Sequence, residues 1–227
     1  NDNVTYSTLE PYATTKTWTL SSGDGIKTVY AKFKDTAGNT STAASDTITL
    51  DTTAPTTPTV TDDGTYTISS TQLHATWVSS DPESGITDNE YSIGTTPGAT
   101  DLVNWTSVGT AQEVTRTGLT LTNSTTYYVN VRTTNGAGAL SSVGSSNGIL
   151  VEITPPSTPI VTDDGAYTNS STQLHATWTS SDPESGITDN EYSIGTTPGA
   201  TDVVNWTSVG TAQAVTRTGL TLTGGTT

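Results

Sequence analysis

TDDGTYTISSTQLHATWVSSDPESGITDNEYSIGTTPGATDLVNWTSVGTAQEVTRTGLTLTNSTT, residues 61–126, returns at residues 162–227 with 59 of 66 positions unchanged and an offset of 101. A fixed internal period makes each period one folding unit, so the chain reads as a tandem array. A period of 101 residues is an ordinary domain length, enough for one two-layer core without a metal or disulfide. The seven differences are Thr65/Ala166, Ile68/Asn169, Val78/Thr179, Leu102/Val203, Glu113/Ala214, Asn123/Gly224 and Ser124/Gly225. Most replace a residue suited to a turn or a wet strand face, and the apolar alternation survives them.

That alternation sets the fold class. TQLHATW places Leu73, Ala75 and Trp77 on one face and Gln72, His74 and Thr76 on the other. The same period-two reading points Tyr91 and Ile93, then Val103 and Trp105, then Leu119 and Leu121, then Tyr127, Val129 and Val131 inward, and a last run ends at Ile149 and Val151. Seven short strands separated by turn signals predict an all-β fold, a tandem array of antiparallel β-sandwich modules.

Composition agrees. Thr and Ser make up more than a third of the 227 residues, and there is no Cys or Met. Many short strands with polar outer faces suit this mix. Absent cysteine excludes thiolate catalysis, disulfides and thiolate metal sites. The net charge of −15 repels nucleic acid and anionic lipid and attracts divalent cations. No apolar run approaches the length of a membrane span, so direct membrane insertion is not expected.

Two proline-rich segments, DTTAPTTP at 51–58 and EITPPSTP at 152–159, read as stiff extended linkers. They divide the chain into residues 1–55, a complete module at 56–155 and an incomplete copy at 156–227. In the first part, TKTWTL predicts a strand with Trp18 and Leu20 buried, and IKTVYAKFKD predicts another with Val29, Ala31 and Phe33 on its inner face. The copy at 156–227 stops before the counterparts of Tyr127, Val129 and Val131. Two expectations fit: strands donated head to tail by a second copy, or a window cut from a longer chain. The register favours the window, because Trp18 and Leu20 stand where Leu119 and Leu121 stand in the complete module.

The complete module resembles the fibronectin type III pattern: Trp77, then Ile86 and Tyr91, then Trp105, Gly118 and Leu119, with Leu121 six residues before Tyr127. In that family the last spacing implies a tyrosine corner, a hydroxyl bonded to the backbone across a turn. The stretch ITDNEY is long for that place and implies a bulge in the third strand. Residues 1–55 resemble the C-terminal part of an immunoglobulin-like module of long bacterial surface or adhesin-type repeat proteins, through GDGIKTVYAKFKDTAGN and SDTITLDTTAP.

Candidate sites are sparse. His74 and His175 are copies of one outward position, and a lone exposed imidazole is seldom a general base, so catalysis is not expected. Asp62, Asp63, Asp81, Glu83, Asp88 and Glu90 fall in two acidic stretches whose carboxylates could chelate calcium at a module junction. The same residues are those that tight turns use. Otherwise no cofactor is expected. Sequons of the form N-x-S/T occur at Asn3, Asn39, Asn104, Asn123, Asn169 and Asn205, and the alternation in VNWT turns Asn104, like Asn205, outward to where a glycan fits.

The sequence supports a structural segment of a long, secreted or cell-surface repeat protein: a rod, stalk or filament whose partners are neighbouring modules or copies of itself. An adhesin or glycan-binding module would meet host or cell-surface glycans or proteins, and would need an exposed aromatic platform. Trp105 and Trp206 are the candidates, and their alternation with Val103 and Val204 assigns them to the core. A spacer in a secreted polysaccharide-degrading enzyme is the third reading.

Overall fold

The computed structural model describes residues 5–223. All regular structure in them is β, and no helix is long and apolar enough to cross a membrane. The chain divides into two compact units, residues 1–151 and 152–227.

The first unit opens with an antiparallel hairpin of β1 (Gly25–Ala31) and β2 (Ala44–Leu50), Gly25 lying opposite Leu50 and Ala31 opposite Ala44. Residues 5–24 hold no strand, which corrects the one expected around Trp18 and Leu20. Trp18 and Phe33 are 48% and 57% exposed, although alternation assigned both to an inner face. Alternation reports a buried face only where a second layer covers it, and among the described residues no second sheet covers this hairpin. An irregular segment drapes over it instead, with the Tyr12 ring 6.2 Å from that of Phe33.

The complete sandwich follows as β3 (Thr59–Asp62), β4 (Tyr66–Thr67), β5 (Gln72–Val78), β6 (Ile86–Gly94), β7 (Val103–Ser107), β8 (Glu113–Thr117), β9 (Thr125–Asn135), β10 (Gly144–Ser145) and β11 (Ile149–Val151). One sheet runs β3-β5-β8, the other β4-β11-β9-β6-β7 with β10 also on β9. These nine strands form seven runs, two of them broken, and the strand expected to carry Leu119 and Leu121 ends at Thr117, so both leucines are buried from the segment just beyond β8. The first run leaves one sheet at the turn after Asp62 and joins the other as β4; the last breaks between β10 and β11. One pairing departs from antiparallel: β4 lies parallel to β11, Tyr66 opposite Leu150.

Leu73, Ala75 and Trp77 face Tyr91, Ile93, Tyr127, Val129 and Val131 across the two sheets, and Leu119, Leu121, Ile149 and Val151 close the core. The Tyr127 hydroxyl accepts the Thr122 N–H at 3.1 Å, the expected corner. The expected bulge lies in β6, where Thr87 is extra between Ile86, opposite Asn135, and Asp88, opposite Thr134. A second bulge was not anticipated. Tyr91 pairs with Thr106 but Ile93 with Val103, so β7 carries one extra residue. An extra residue inverts the faces on either side of it. Val103 stays inward, and Trp105 turns to the outer face, where the Arg132 guanidinium stacks on its ring at 4.4 Å and bonds Glu90 at 2.8 Å. The assignment of Trp105 to the core is thereby corrected.

The turn of the β1 and β2 hairpin repeats the backbone hydrogen bonds of the turn between β9 and β10. The Ser41 N–H donates to the Phe33 carbonyl as Ser141 does to Thr133, and Gly38 to Asp35 as Gly138 does to Asn135. Phe33 and Thr133 each donate their N–H to the hydroxyl of Ser41 and Ser141. In each turn the residue 35 or 135 side chain accepts a backbone N–H, from Asn39 at 2.8 Å and from Ala139 at 2.7 Å.

The second unit carries β12 (Ile160–Asp163), β13 (Gln173–Thr179), β14 (Glu191–Ile194), β15 (Val204–Ser208) and β16 (Ala214–Thr218). They repeat β3, β5, β6, β7 and β8, down to Val161 opposite Trp178 where Val60 lies opposite Trp77. Its two sheets enclose an open cleft of about 750 Å³ lined by Leu174, Ala176, Trp178, Tyr192, Ile194 and Val215. Trp206, on the bulged β15, is 60% exposed, and the core assignment fails for it as well.

Candidate functional site: the carboxylate at the head of each linker

The acidic residues read as a calcium set are mostly committed singly. Asp62 accepts the N–H of Gly64 at 3.3 Å and of Gly148 at 3.2 Å, tying the turn after β3 to the break between β10 and β11. Asp63 accompanies the His74 imidazole at 2.7 Å, as Asp164 does His175 at 2.8 Å, so the histidines are paired rather than lone. Asp88 accepts the Ser107 hydroxyl at 2.5 Å. Only Asp81 and Glu83 come together, and their third companion is Asp51, from the linker: one carboxylate oxygen of each lies within 4.8 Å of the others. Among the described residues these three are the ones that could hold a cation.

Their geometry follows from local chemistry. Asp81, Pro82, Glu83, Ser84 and Gly85 turn the chain from β5 into β6, with Gly85 at φ 72°, a left-handed conformation that L side chains avoid. Asp81 caps this turn by accepting the Ser84 N–H at 2.9 Å. Its other oxygen accepts the Asn135 amide at 2.9 Å. Asn135 ends β9 and is buried, and the same Nδ2 also donates to Asp51 at 2.8 Å and to the Thr53 carbonyl at 3.0 Å. The Ser84 hydroxyl donates to Asp51 as well. At Asp81 the Ser84 N–H, followed by the Asn135 amide, favours the ionised form and holds the carboxyl below the ordinary value of 3.8.

The hairpin grips the same linker from its other side. Asp24, just before β1, accepts the Thr52 N–H at 3.0 Å and the hydroxyls of Thr52 and Thr53 at 2.8 and 2.7 Å. The Thr53 and Thr52 hydroxyls hold its carboxyl below the ordinary range. Further along, three hydrogen bonds join Thr56 and Ser80, Pro55 and Pro58 are buried, and a Cβ at Gly144 would fall on the Pro58 carbonyl oxygen. The linker is thus docked along its length.

The part of the arrangement that joins the linker to the following turn recurs 101 residues later. Ser185 donates to Glu152 at 3.1 Å, Glu152 accepts the Thr154 N–H at 2.6 Å, and Asp182 caps the Ser185 N–H at 2.8 Å, holding its own carboxyl below the usual range. Ser157 and Ser181 repeat the pairing of Thr56 with Ser80. Asp51 and Asn135 did not emerge from the sequence reading. A signal was present: the linkers DTTAPTTP and EITPPSTP differ at half their positions, yet each begins with a carboxylate.

Of the sequons, Asn104 and Asn205 are exposed on β7 and β15, Asn169 is exposed and Asn123 half-buried. Asn39 is exposed with its amide bonded to Asp35 at 2.9 Å. Asn3 lies outside the described residues.

No family model matches the chain, and no curated protein matches it. Among solved structures it is similar to the crystal structure of the chicken CNTN1 FN1-FN3 domains, with 15% identity, a TM-score of 0.37, and coverage of 86% of this chain and 68% of that one.

Proposed function

We propose that this chain is a structural segment of a long extracellular repeat protein, a stalk or filament built from fibronectin type III-like sandwich modules in series. One observation carries the reading: the β1/β2 hairpin and the β9/β10 hairpin share the backbone hydrogen bonds of their turns, while β3, β5 and β8 share their register with β12, β13 and β16. Three stretches of the chain therefore hold pieces of one architecture, in phase. The complete sandwich buries its own core, and the chemistry visible at the linker is holding rather than turnover. The test uses arrays of one, two, four and eight copies of the 101-residue period. Serial modules lengthen the scattering envelope by a constant step per copy, and a maximum dimension that stops growing would sink the proposal.

A glycan-binding reading has one observation in its favour, the outward turn of Trp105. The Arg132 guanidinium lies across that ring, so a sugar face would have to displace it. Glycan-array binding lost on Trp105→Ala would support this alternative.

A further inference from the structure

We infer that the segment around Asp51 is a locked joint, in which the linker is held from both sides by neutral donors and carboxylates so that the β1/β2 hairpin and the sandwich after it move as one body. The inference rests on the reading of the chain as modules in series and states how consecutive modules are held.

The Asn135 amide has two hydrogens and three oxygens within 3.0 Å: Asp51, the Thr53 carbonyl and Asp81. An ordinary turn or cap bond closes over a few residues. These three close over 84, 82 and 54, joining the linker, the β5–β6 turn and the end of β9 at one atom. Ser84 belongs to the same knot, donating to Asp51 and accepting the Ala137 N–H at 3.2 Å. From the hairpin, Asp24 takes three donors from Thr52 and Thr53. A tether bonded on one side would leave its other neighbour free to swing. This linker is bonded on both.

The repeat supplies the half of the joint that faces the following turn: where the linker changes from Asp51 to Glu152, the carboxylate and its serine partner persist. The hairpins supply a control. Asp35 occupies in the first hairpin the place of Asn135 in the second and makes the same turn bond to a backbone N–H, so an aspartate at that place builds the hairpin and cannot donate to a linker. Asn135→Asp therefore removes the joint's central donor, adds a charge facing Asp51, Asp81 and Glu83, and retains the turn.

The experiment is backbone 15N relaxation on the 227-residue chain. Expected for the unaltered protein is one rotational correlation time for residues 25–50 and 59–151. In Asn135→Asp the value for residues 25–50 shortens while residues 59–151 keep theirs, and adding Asp51→Asn, which returns an amide to the pair, restores the common value. Two correlation times in the unaltered chain, or an unchanged common value in Asn135→Asp, would overturn the joint. If Asn135→Asp loses the dispersed spectrum of the sandwich, Asp51→Ala carries the same expectation, because that side chain lies on the linker and outside the core. Arrays that fail to lengthen while the common value holds would sink the serial reading and leave the joint standing.

Discussion

Trp77 sits at the centre of the sandwich with 3% of its surface exposed, beside residues contributed by both sheets. Truncation removes the largest apolar side chain of β5 and leaves a void that close-packed neighbours fill only partly. We predict that Trp77→Ala costs about 3–5 kcal/mol by urea unfolding. Carboxylates give a second prediction at this scale. Asp101 accepts the Thr95 N–H and hydroxyl at 3.0 and 2.9 Å, and these two bonds hold its carboxyl below 3.8; Asp81 is lowered by its own partners, and Asp202 and Asp182 repeat the pattern. A carboxyl whose folded value lies below its unfolded one contributes stability that is complete above the unfolded value. That contribution is lost as pH falls below about 3.8 and through the lower folded values. Urea midpoints should therefore hold steady from neutral pH into the mildly acidic range and drop steeply below it, with Asp101→Asn flattening part of the drop. A midpoint equally steep in that variant would remove Asp101 from the account.

Elements respond to what lies across from them. The first sandwich needs β10 close under the linker, and Gly144 lets the Pro58 carbonyl approach where a Cβ would collide. Gly144→Ala should cost about 1–3 kcal/mol through overpacking and shift the amide resonances of residues 56–60. Unchanged shifts there would mean that the linker does not touch β10 in solution. The same dependence on neighbours explains which elements could be read from sequence. β5 and β9 were legible because both sheets close over them and period two maps directly onto burial, as Leu73, Ala75, Trp77, Tyr127, Val129 and Val131 show. β7 was misread because a bulge costs one residue of register and leaves no mark in the alternation VNWTS, so Trp105 was sent inward by arithmetic that holds only for an unbroken ladder. Trp18 and Phe33 were misread because alternation carries no information about whether a second layer is present. The joint was illegible for a different reason. Its members, Asp24, Asp51, Asp81, Ser84 and Asn135, are spread over more than a hundred residues and are all of types that turns use locally.

For the whole molecule, the two units offer an internal comparison in which 59 of 66 aligned positions are identical while the cores differ in completeness. In the first unit β9 and β11 bring in Tyr127, Val129, Val131, Ile149 and Val151, each at most 4% exposed. In the second, the described residues place no strand on the free side of β14, and Trp178, Val204 and Leu220 are the buried apolar residues there. A fully buried side chain of this size contributes about 1.5–3 kcal/mol, so five of them set an upper bound of roughly 8–15 kcal/mol on what the extra strands bring, before the entropy of ordering them. The 227-residue chain should accordingly unfold in two calorimetric transitions, the lower one belonging to residues 152–223. Thr227 aligns with Thr126, so appending the sequence of residues 127–151 after Thr227 places the pattern of β9 to β11 in register. That extension should raise the lower transition towards the upper one, and the same extension with aspartate at the positions copied from Val129 and Val131 should not. A lower transition that stays in place with the unaltered extension would mean that β14 and its neighbours do not accept a strand of the β9 pattern, and that the equivalence of the two sandwiches ends with the strands they visibly share.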